Sequence, residues 1–311
     1  MQSKTKATIT LFALSAILSE LLSGSSPATH FFNPLFLVLQ LLTYGIPALV
    51  MREMAVRWKL GISGIFILAL GYGIFNEGLV ARTFFSQDGT LFSDGYGFYY
   101  GLNFPWIGFA AVWHSLHAIL FPILLTYFLY PETANQPWIA SNRKIKILFA
   151  LAALESIVIY FTPKGAFPTS LFFIFWLAIF AFAWLSKKFT APIKLYAQNF
   201  SKKPFFLGFI TVLPLYVVLI AITKTRTPLL GYFLVLTFLV WIFWWLLKKK
   251  QWDSVPLLIV FIAGDYIATG IFAIIGRGGA PEIILTSAVI SIWLLALVKR
   301  VKRNSQNLVT S

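Results

Sequence analysis

The sequence predicts an all-α fold: a polytopic helical membrane protein with about ten transmembrane helices and both termini in the cytoplasm. Three observations lead to this prediction. The composition is strongly apolar, the apolar residues form runs long enough to cross a bilayer, and the cationic residues collect between alternate runs. Hydrophobic residues make up 59% of the 311 residues and charged residues 11%, against about 25% charged in a soluble domain. An ordinary soluble enzyme, a disordered chain and a collagen-like fibre are therefore excluded.

Ten apolar runs approach the length of about 20 residues that a transmembrane helix needs, and most connections between them are short. They lie near residues 7–24, 32–51, 60–82, 105–130, 145–162, 167–186, 204–222, 228–247, 254–275 and 280–298. We interpret residues 1–311 as a single transmembrane domain. Its first half, 7–162, holds nearly all the intramembrane ionisable residues, and its second half, 167–298, reads as mostly apolar scaffold.

The distribution of Lys and Arg predicts the orientation. With a cytoplasmic N-terminus, 20 of the 25 cationic residues lie in cytoplasmic segments, as the positive-inside rule requires. Topology and contact with anionic lipids explain the net charge of +15, so we expect membrane lipids and no nucleic acid as partners. The five cationic residues outside are Arg82, Lys164, Lys224, Arg226 and Arg277.

An alternative for the first run is a cleaved signal peptide. Lys4 and Lys6 precede the run, and residues 23–28 are rich in small side chains, as at a cleavage site. Glu20 lies inside the run, however, and no clean Ala-x-Ala site follows it. These two features favour a retained helix. Cysteine is absent, which excludes disulfides, thiolate metal ligands and a cysteine nucleophile.

Ionisable residues occur in five of the predicted spans. The helical rise of about 1.5 Å per residue places all of them between the middle of the membrane and its outer leaflet. Ionisable groups in lipid usually face the interior of a bundle or a watery cavity. The sequence therefore predicts an outward-facing polar cavity. Its expected members are Glu20, Asn76, Glu77, Arg82, His114, His117, Glu155 and Asp265.

Two histidines of the fourth span lie three residues apart, which places them about 60° apart on one face of an α-helix. Together with a carboxylate from a neighbouring helix, they match the ligands of a divalent metal such as zinc. We therefore predict Glu77, His114 and His117 as the catalytic and metal-binding set. Two alternatives stay open: a site of the same residues without a metal, and histidines that only form hydrogen bonds to adjacent helices. Arg82 lies about 140° around the helix from Glu77, so we expect it either to extend outward to the membrane surface or to contact another helix.

The segment 76–117 carries a resemblance. Asn76-Glu77-Gly-Leu-Val-Ala-Arg82, with Phe84 and Phe85 and then Trp113-x-x-x-His117, resembles motifs of the CPBP or Abi group of CAAX-type intramembrane proteases. This resemblance implies a helical fold in which Glu77 activates water, His114 or His117 positions it or stabilises the oxyanion, and Arg82 is structural. The stretch is also similar to uncharacterised multi-spanning prokaryotic membrane proteins, which implies a prokaryotic cell membrane and no particular activity.

Three classes of function stay open. The first is a Glu/His intramembrane hydrolase. The second is a transporter or channel for a small solute, lipid or ion, in which Glu20, Glu155 and Asp265 line a path and a helix unwinds near Gly264 or Gly270. The third is a non-catalytic membrane scaffold whose polar groups only hold helices together. An ATP-driven pump is not expected, because the sequence contains no nucleotide-binding motif.

Overall fold

The computed structural model describes residues 2–21, 26–87, 95–162, 168–197, 199–276 and 279–310. Within these ranges, ten long helices follow the order of the predicted runs. The first five are α1 (Gln2–Ala16, continued by Ile17–Leu21), α2 (Pro34–Arg57), α3 (Ile62–Val80), α4 (Phe104–Leu129) and α5 (Asn142–Tyr160). The second five are α6 (Thr169–Ser186), α7 (Lys203–Lys224), α8 (Leu229–Lys249), α9 (Val255–Gly276) and α10 (Pro281–Thr310).

These helices confirm the all-α polytopic membrane fold. Among the described residues, seven helices are long and apolar enough to cross a membrane, namely α2, α3, α4, α6, α8, α9 and α10. The helices α1, α5 and α7 occupy the other three predicted spans. The count of ten spans and the side of the termini stay predictions. Of the residues on which those predictions rest, 23–25, Lys164 and Arg277 lie outside the described ranges.

The interior of the bundle is formed by α3, α4 and α9, which are buried along most of their length. Because lipid is as apolar as the helices, packing between membrane helices depends on close backbone approach at small residues. Gly73 of α3 provides such a site, since a Cβ there would lie 2.6 Å from the carbonyl oxygen of Ala111 in α4. The backbones of α3 and α4 therefore approach each other closely at Gly73.

The prediction of a helix unwound near Gly264 or Gly270 is wrong. The helix α9 is continuous from Val255 to Gly276. Both glycines serve contacts between helices instead. A Cβ on Gly264 would lie 2.0 Å from the main-chain oxygen of Phe205 in α7, and one on Gly270 would lie 3.0 Å from the Cβ of Ser287 in α10.

Irregular turns occur in α1 to α4 instead. Each of these helices contains one π-helical stretch, in which the backbone hydrogen bond spans five residues rather than four. Such turns account for well under 1% of residues in globular proteins and are frequent at functional sites. In α1 to α4 they coincide with the intramembrane polar residues. The four stretches are Ile17–Leu21, Leu41–Gly45, Phe75–Val80 and Ser115–Leu120.

A small hairpin leads into α4 at the predicted outer end of the bundle. Its strands β1 (Phe98–Tyr99) and β2 (Leu102–Asn103) are antiparallel, and the turn between them has positive φ at Tyr100 and Gly101. The side chain of Asn103 then accepts a hydrogen bond of 3.1 Å from the main-chain N–H of Trp106, which caps the first turn of α4. The hairpin thus fixes the start of α4 and the position of Trp106.

A buried ion pair lies at the predicted cytoplasmic end of α2. Arg52 and Glu53 are fully buried and lie 2.5 Å apart between Nη1 and Oε1. Arg52 also donates to three main-chain carbonyls of the segment 131–139, and its guanidinium lies 3.9 Å from the ring centroid of Trp138. The cluster attaches the connection between α4 and α5 to α2. The distribution of Lys and Arg predicts Arg52 only as one of the 20 cytoplasmic charges.

Candidate functional site

A carboxylate and an imidazole meet directly between α3 and α4. Glu77 Oε1 lies 2.5 Å from His114 Nε2, and both side chains are buried. Glu77 belongs to the π-helical stretch of α3, and His114 immediately precedes the π-helical stretch of α4. Two of the three residues predicted as catalytic are therefore partners in the structure.

The second oxygen of Glu77 is also occupied. It accepts a hydrogen bond from the hydroxyl of Thr83, and Trp106 Nε1 donates to the same hydroxyl at 2.7 Å. Thr83 begins a short turn after α3, and the chain reaches it through Arg82, whose φ of 59° is left-handed. This sharp change of direction returns the hydroxyl to the end of the helix that carries Glu77.

A hydrogen-bonded chain leads from this pair to α1. Asn76 Nδ2 lies 3.4 Å from His114 Nδ1 and 3.2 Å from the hydroxyl of Tyr44. The Tyr44 hydroxyl donates to one oxygen of Glu20, and Ser26 Oγ donates to the other at 2.7 Å. Two of the predicted cavity residues, Glu20 and Asn76, are thus joined to the Glu77–His114 pair through Tyr44.

Glu155 of α5 meets the edge of the same network. Thr43 Oγ1 donates to Glu155 Oε1 at 2.7 Å, and the Tyr72 hydroxyl donates to the main-chain oxygen of Thr43 at 3.1 Å. The ring centroid of Tyr72 lies 6.1 Å from that of Tyr44 and 6.4 Å from that of His114. Tyr72 therefore forms the wall between the polar network and the helices on its other side.

His117 forms a separate pair between α4 and α9. Its Nε2 lies 2.9 Å from Asp265 Oδ2, and its Nδ1 lies 3.0 Å from the main-chain oxygen of Trp113. The imidazole stacks on the Trp113 ring at a centroid distance of 3.7 Å and meets the Tyr266 ring edge-on. Both His117 and Asp265 are buried.

The structure does not bring Glu77, His114 and His117 together, which corrects the prediction that both histidines share one face toward one carboxylate. The π-helical stretch beginning at Ser115 has a wider turn, so His117 is rotated from His114 by more than the 60° or so of an α-helix. Each imidazole consequently has a carboxylate of its own. Across the described ranges, no three or more His, Cys, Asp or Glu residues form a group that would hold a metal ion.

Arg82 contacts α5 rather than Glu77. Its Nη2 donates to the main-chain oxygen of Ile159 at 2.8 Å and to Thr162 Oγ1 at 2.9 Å. The expectation that Arg82 pairs with another helix is therefore confirmed. The contact ties the predicted outer end of α3 to the end of α5.

Four residues of the network were not predicted. Thr43, Tyr44, Thr83 and Trp106 supply the hydroxyl and indole groups that connect the ionisable residues. Hydroxyl and aromatic residues are common in membrane helices, so their identity alone carries little information. An available signal was the pair Thr43-Tyr44 inside the largely apolar run of the second predicted span.

A small cavity of about 140 Å³ lies at the predicted outer end of the network. Ser26, which bonds Glu20, forms part of its wall. Glu282 and Thr286 of α10 add polar groups to the same wall. A cavity of this size holds a few water molecules, so the chain of hydrogen bonds ends beside a polar space.

Comparison with known proteins identifies a family without an activity. A family model described as an uncharacterised membrane protein family matches residues 9–305. No curated protein and no solved structure matches the chain. The function therefore has to be argued from the geometry of the site.

Proposed function

Since this chain belongs to an uncharacterised family of membrane proteins, we propose its function from the site itself: it is a transporter that carries protons, and the Glu77–His114 pair binds them. The single observation that carries the proposal is the presence of two buried carboxylate–imidazole pairs whose imidazoles lie on one helix, α4, and form different further hydrogen bonds. Chains of Asp, Glu and His within membrane helices are typical of proton relays.

The partners of His114 assign its tautomer. The amide nitrogen of Asn76 donates hydrogen bonds and cannot accept them, so His114 Nδ1, which faces it, acts as the acceptor. The proton of the neutral imidazole is then on Nε2, facing Glu77. With Glu77 ionised, the pair carries one net negative charge. A buried charge without compensation is costly, so this pair is stabilised by binding one proton.

The His117–Asp265 pair has the opposite assignment. His117 Nδ1 faces a carbonyl oxygen and therefore donates its proton to Trp113. A contact between His117 Nε2 and a carboxylate oxygen then requires a second proton, shared with Asp265. This pair is neutral overall. With these assignments, the Glu77–His114 pair can bind one further proton, whereas the His117–Asp265 pair already shares its second proton.

The network also offers a route to the empty site from outside. The Tyr44 hydroxyl accepts from Asn76 and donates to Glu20, which lies next to the small cavity at Ser26. The distribution of Lys and Arg predicts that this end faces outward. Protons from the outer solution would therefore reach Glu20 first. The Asn76 amide nitrogen cannot accept a proton, so transfer from Tyr44 to His114, whose ring centroids lie 6.1 Å apart, requires Asn76 to move aside. The step to the cytoplasm requires a conformational change as well.

A Glu/His intramembrane hydrolase is the second candidate, and the Glu77–His114 contact is the observation that favours it. In a hydrolase Glu77 would accept a proton from the attacking water. Both oxygens of Glu77 already accept hydrogen bonds from protein groups, so the water would have to displace Thr83 or His114. A proton on the second oxygen of Glu77 requires only that the Thr83 hydroxyl turn from donor to acceptor, and we therefore place the transporter first.

Proton movement through reconstituted protein tests the proposal. The purified protein is incorporated into liposomes that enclose a pH-sensitive dye, and a potassium gradient with valinomycin sets the membrane potential. We expect the wild type to move protons faster than protein-free liposomes, and Glu77→Gln to fall to the protein-free rate. Tyr44→Phe keeps the ring but loses the hydroxyl that joins Asn76 to Glu20, so its rate should fall as well.

The matched control is Glu132→Gln, which neutralises an exposed carboxylate outside the network and should keep the wild-type rate. Elution of each variant as a single peak in gel filtration separates lost transport from lost folding. A wild-type rate no higher than that of protein-free liposomes would refute the proposal. Glu77-dependent cleavage of a labelled membrane peptide by the same sample would then support the hydrolase.

A further inference from the structure

An apolar groove of about 370 Å³ lies on the side of Tyr72 opposite the polar network, between α2, α3, α5 and α6. Its rim includes Phe149 of α5 and Phe180 of α6, which are both exposed. The groove therefore opens between these two helices toward the surrounding lipid. Its walls are formed by apolar and aromatic side chains such as Met51, Met54, Tyr72, Phe75, Trp176 and Ile179.

The length of the groove matches one leaflet of a bilayer. Along α2 its lining residues run from Pro47 to Trp58, which corresponds to roughly 16 Å of helix at about 1.5 Å per residue. Half of a hydrocarbon core of about 30 Å is about 15 Å. The groove begins at the predicted cytoplasmic end of the bundle, at Trp58, and ends near the middle of the membrane at Tyr72 and Phe75.

Two ammonium groups lie at the cytoplasmic mouth of the groove. Lys146 of α5 belongs to its lining, and Lys187 Nζ lies 4.4 Å from the ring centroid of Trp58, another lining residue. Both lysines are exposed. The cytoplasmic leaflet is the one that contains anionic lipids, and cationic side chains near its surface attract them. Tryptophan at this depth is typical of the interface between headgroups and acyl chains.

We propose that the groove binds one acyl chain of an anionic phospholipid from the cytoplasmic leaflet, with the phosphate against Lys146 and Lys187. The apolar wall excludes a ligand that needs hydrogen bonds along its length, and the paired lysines select a negative headgroup. The proposal does not depend on proton transport. It places the acyl chain against Tyr72, whose hydroxyl donates a hydrogen bond to the main-chain oxygen of Thr43, the residue next to Tyr44.

Native mass spectrometry of the delipidated protein with added lipid provides the test. Phosphatidylglycerol and phosphatidylcholine with identical acyl chains are compared, so that only the headgroup charge differs. We expect one tightly bound phosphatidylglycerol per chain and weaker binding of phosphatidylcholine. The double variant Lys146→Gln/Lys187→Gln should lower the affinity for phosphatidylglycerol by about 25-fold, since each lysine near an anionic surface contributes about fivefold, and should leave phosphatidylcholine unchanged.

Two further variants separate this site from general attraction between charges. Ala153→Phe places a ring in the groove and should reduce the binding of both lipids. Lys299→Gln/Lys302→Gln removes two exposed lysines of α10 and should leave the binding of both lipids unchanged. Equal affinity of the wild type for both lipids would overturn the proposal. So would an unchanged affinity in Ala153→Phe, or an equal loss in the α10 variant.

Discussion

The crossing of α7 and α9 depends on two glycines, and an alanine at one of them has a predictable cost. A Cβ on Gly264 would lie 2.0 Å from the main-chain oxygen of Phe205, and a Cβ on Gly208 would lie 2.2 Å from that of Phe261. The two helices therefore touch through their backbones from both sides. We predict that Gly264→Ala destabilises the protein even though alanine favours a helix.

The geometry sets the size of the effect. Ordinary van der Waals contact begins at 3.4 Å, so the helices must separate locally by about 1.4 Å at Gly264. The atom that the new Cβ meets belongs to the main chain and cannot rotate away as a side chain would. Overpacking of this kind therefore costs about 3 kcal/mol, at the upper end of its usual range. The better helix propensity of alanine returns about 1 kcal/mol. We expect a net loss of about 2 kcal/mol.

Thermal unfolding in detergent, followed by the fluorescence of the 11 tryptophans, measures this loss. For a chain of 311 residues, a change of about 2 kcal/mol corresponds to a fall in Tm of roughly 3 °C. Gly276→Ala on the same helix is the matched control, because a Cβ there would meet no described atom within 4 Å. If Gly264→Ala and Gly276→Ala unfold at the same temperature, the backbone contact between α7 and α9 does not contribute as argued.

Two further predictions concern charged residues at the predicted cytoplasmic end. Arg52→Met leaves the buried carboxylate of Glu53 without its main partner and should cost about 3–5 kcal/mol of stability. The control Lys59→Met removes one exposed charge and should cost little. Thermal unfolding of the two variants measures the difference. Burial raises the pKa of Asp253, but the hydrogen bonds and charges of Lys194 and Lys248 outweigh it and hold the pKa below its ordinary 3.8. This stabilisation is present above that value and is lost as the pH falls through the lowered pKa. The difference in Tm between wild type and Asp253→Asn should therefore be constant from about pH 7 to 5 and vanish at more acidic pH; a difference that persists in acid would contradict the assignment.

The fold was predictable because the membrane restricts it. A segment that crosses lipid must satisfy its own backbone hydrogen bonds, which leaves little besides a helix of about 20 residues. The apolar runs therefore predicted all ten long helices of the described ranges in their order. The continuity of α9 was not predictable from Gly264 and Gly270, because a glycine in a membrane helix serves either a break or a close contact. Whether a glycine breaks its helix or allows a close contact depends on the helix that packs against it.

The site was predictable in its members more than in its pairing. The cost of an ionisable group in lipid singled out Glu77, His114 and Glu20 without any knowledge of the fold. Asp265 was named as well, but its partner His117 lies 148 positions earlier in the chain, and no local pattern connects them. Which helices are neighbours depends on how the bundle packs, and a single sequence does not provide that information. The pairing of His117 with Asp265 could therefore not be predicted.

The π-helical stretch of α4 explains why two carboxylate–imidazole pairs exist where a single metal site was predicted. With regular α-helical spacing, His114 and His117 would face one neighbour and compete for Glu77. The wider turn after His114 directs His117 toward α9, where Asp265 provides a carboxylate. Because each imidazole has its own carboxylate, the two rings form different further hydrogen bonds, His114 with Asn76 and His117 with the main chain of Trp113. In the function that we propose, one irregular turn thereby separates a pair that gains from binding a proton from a pair that already shares one.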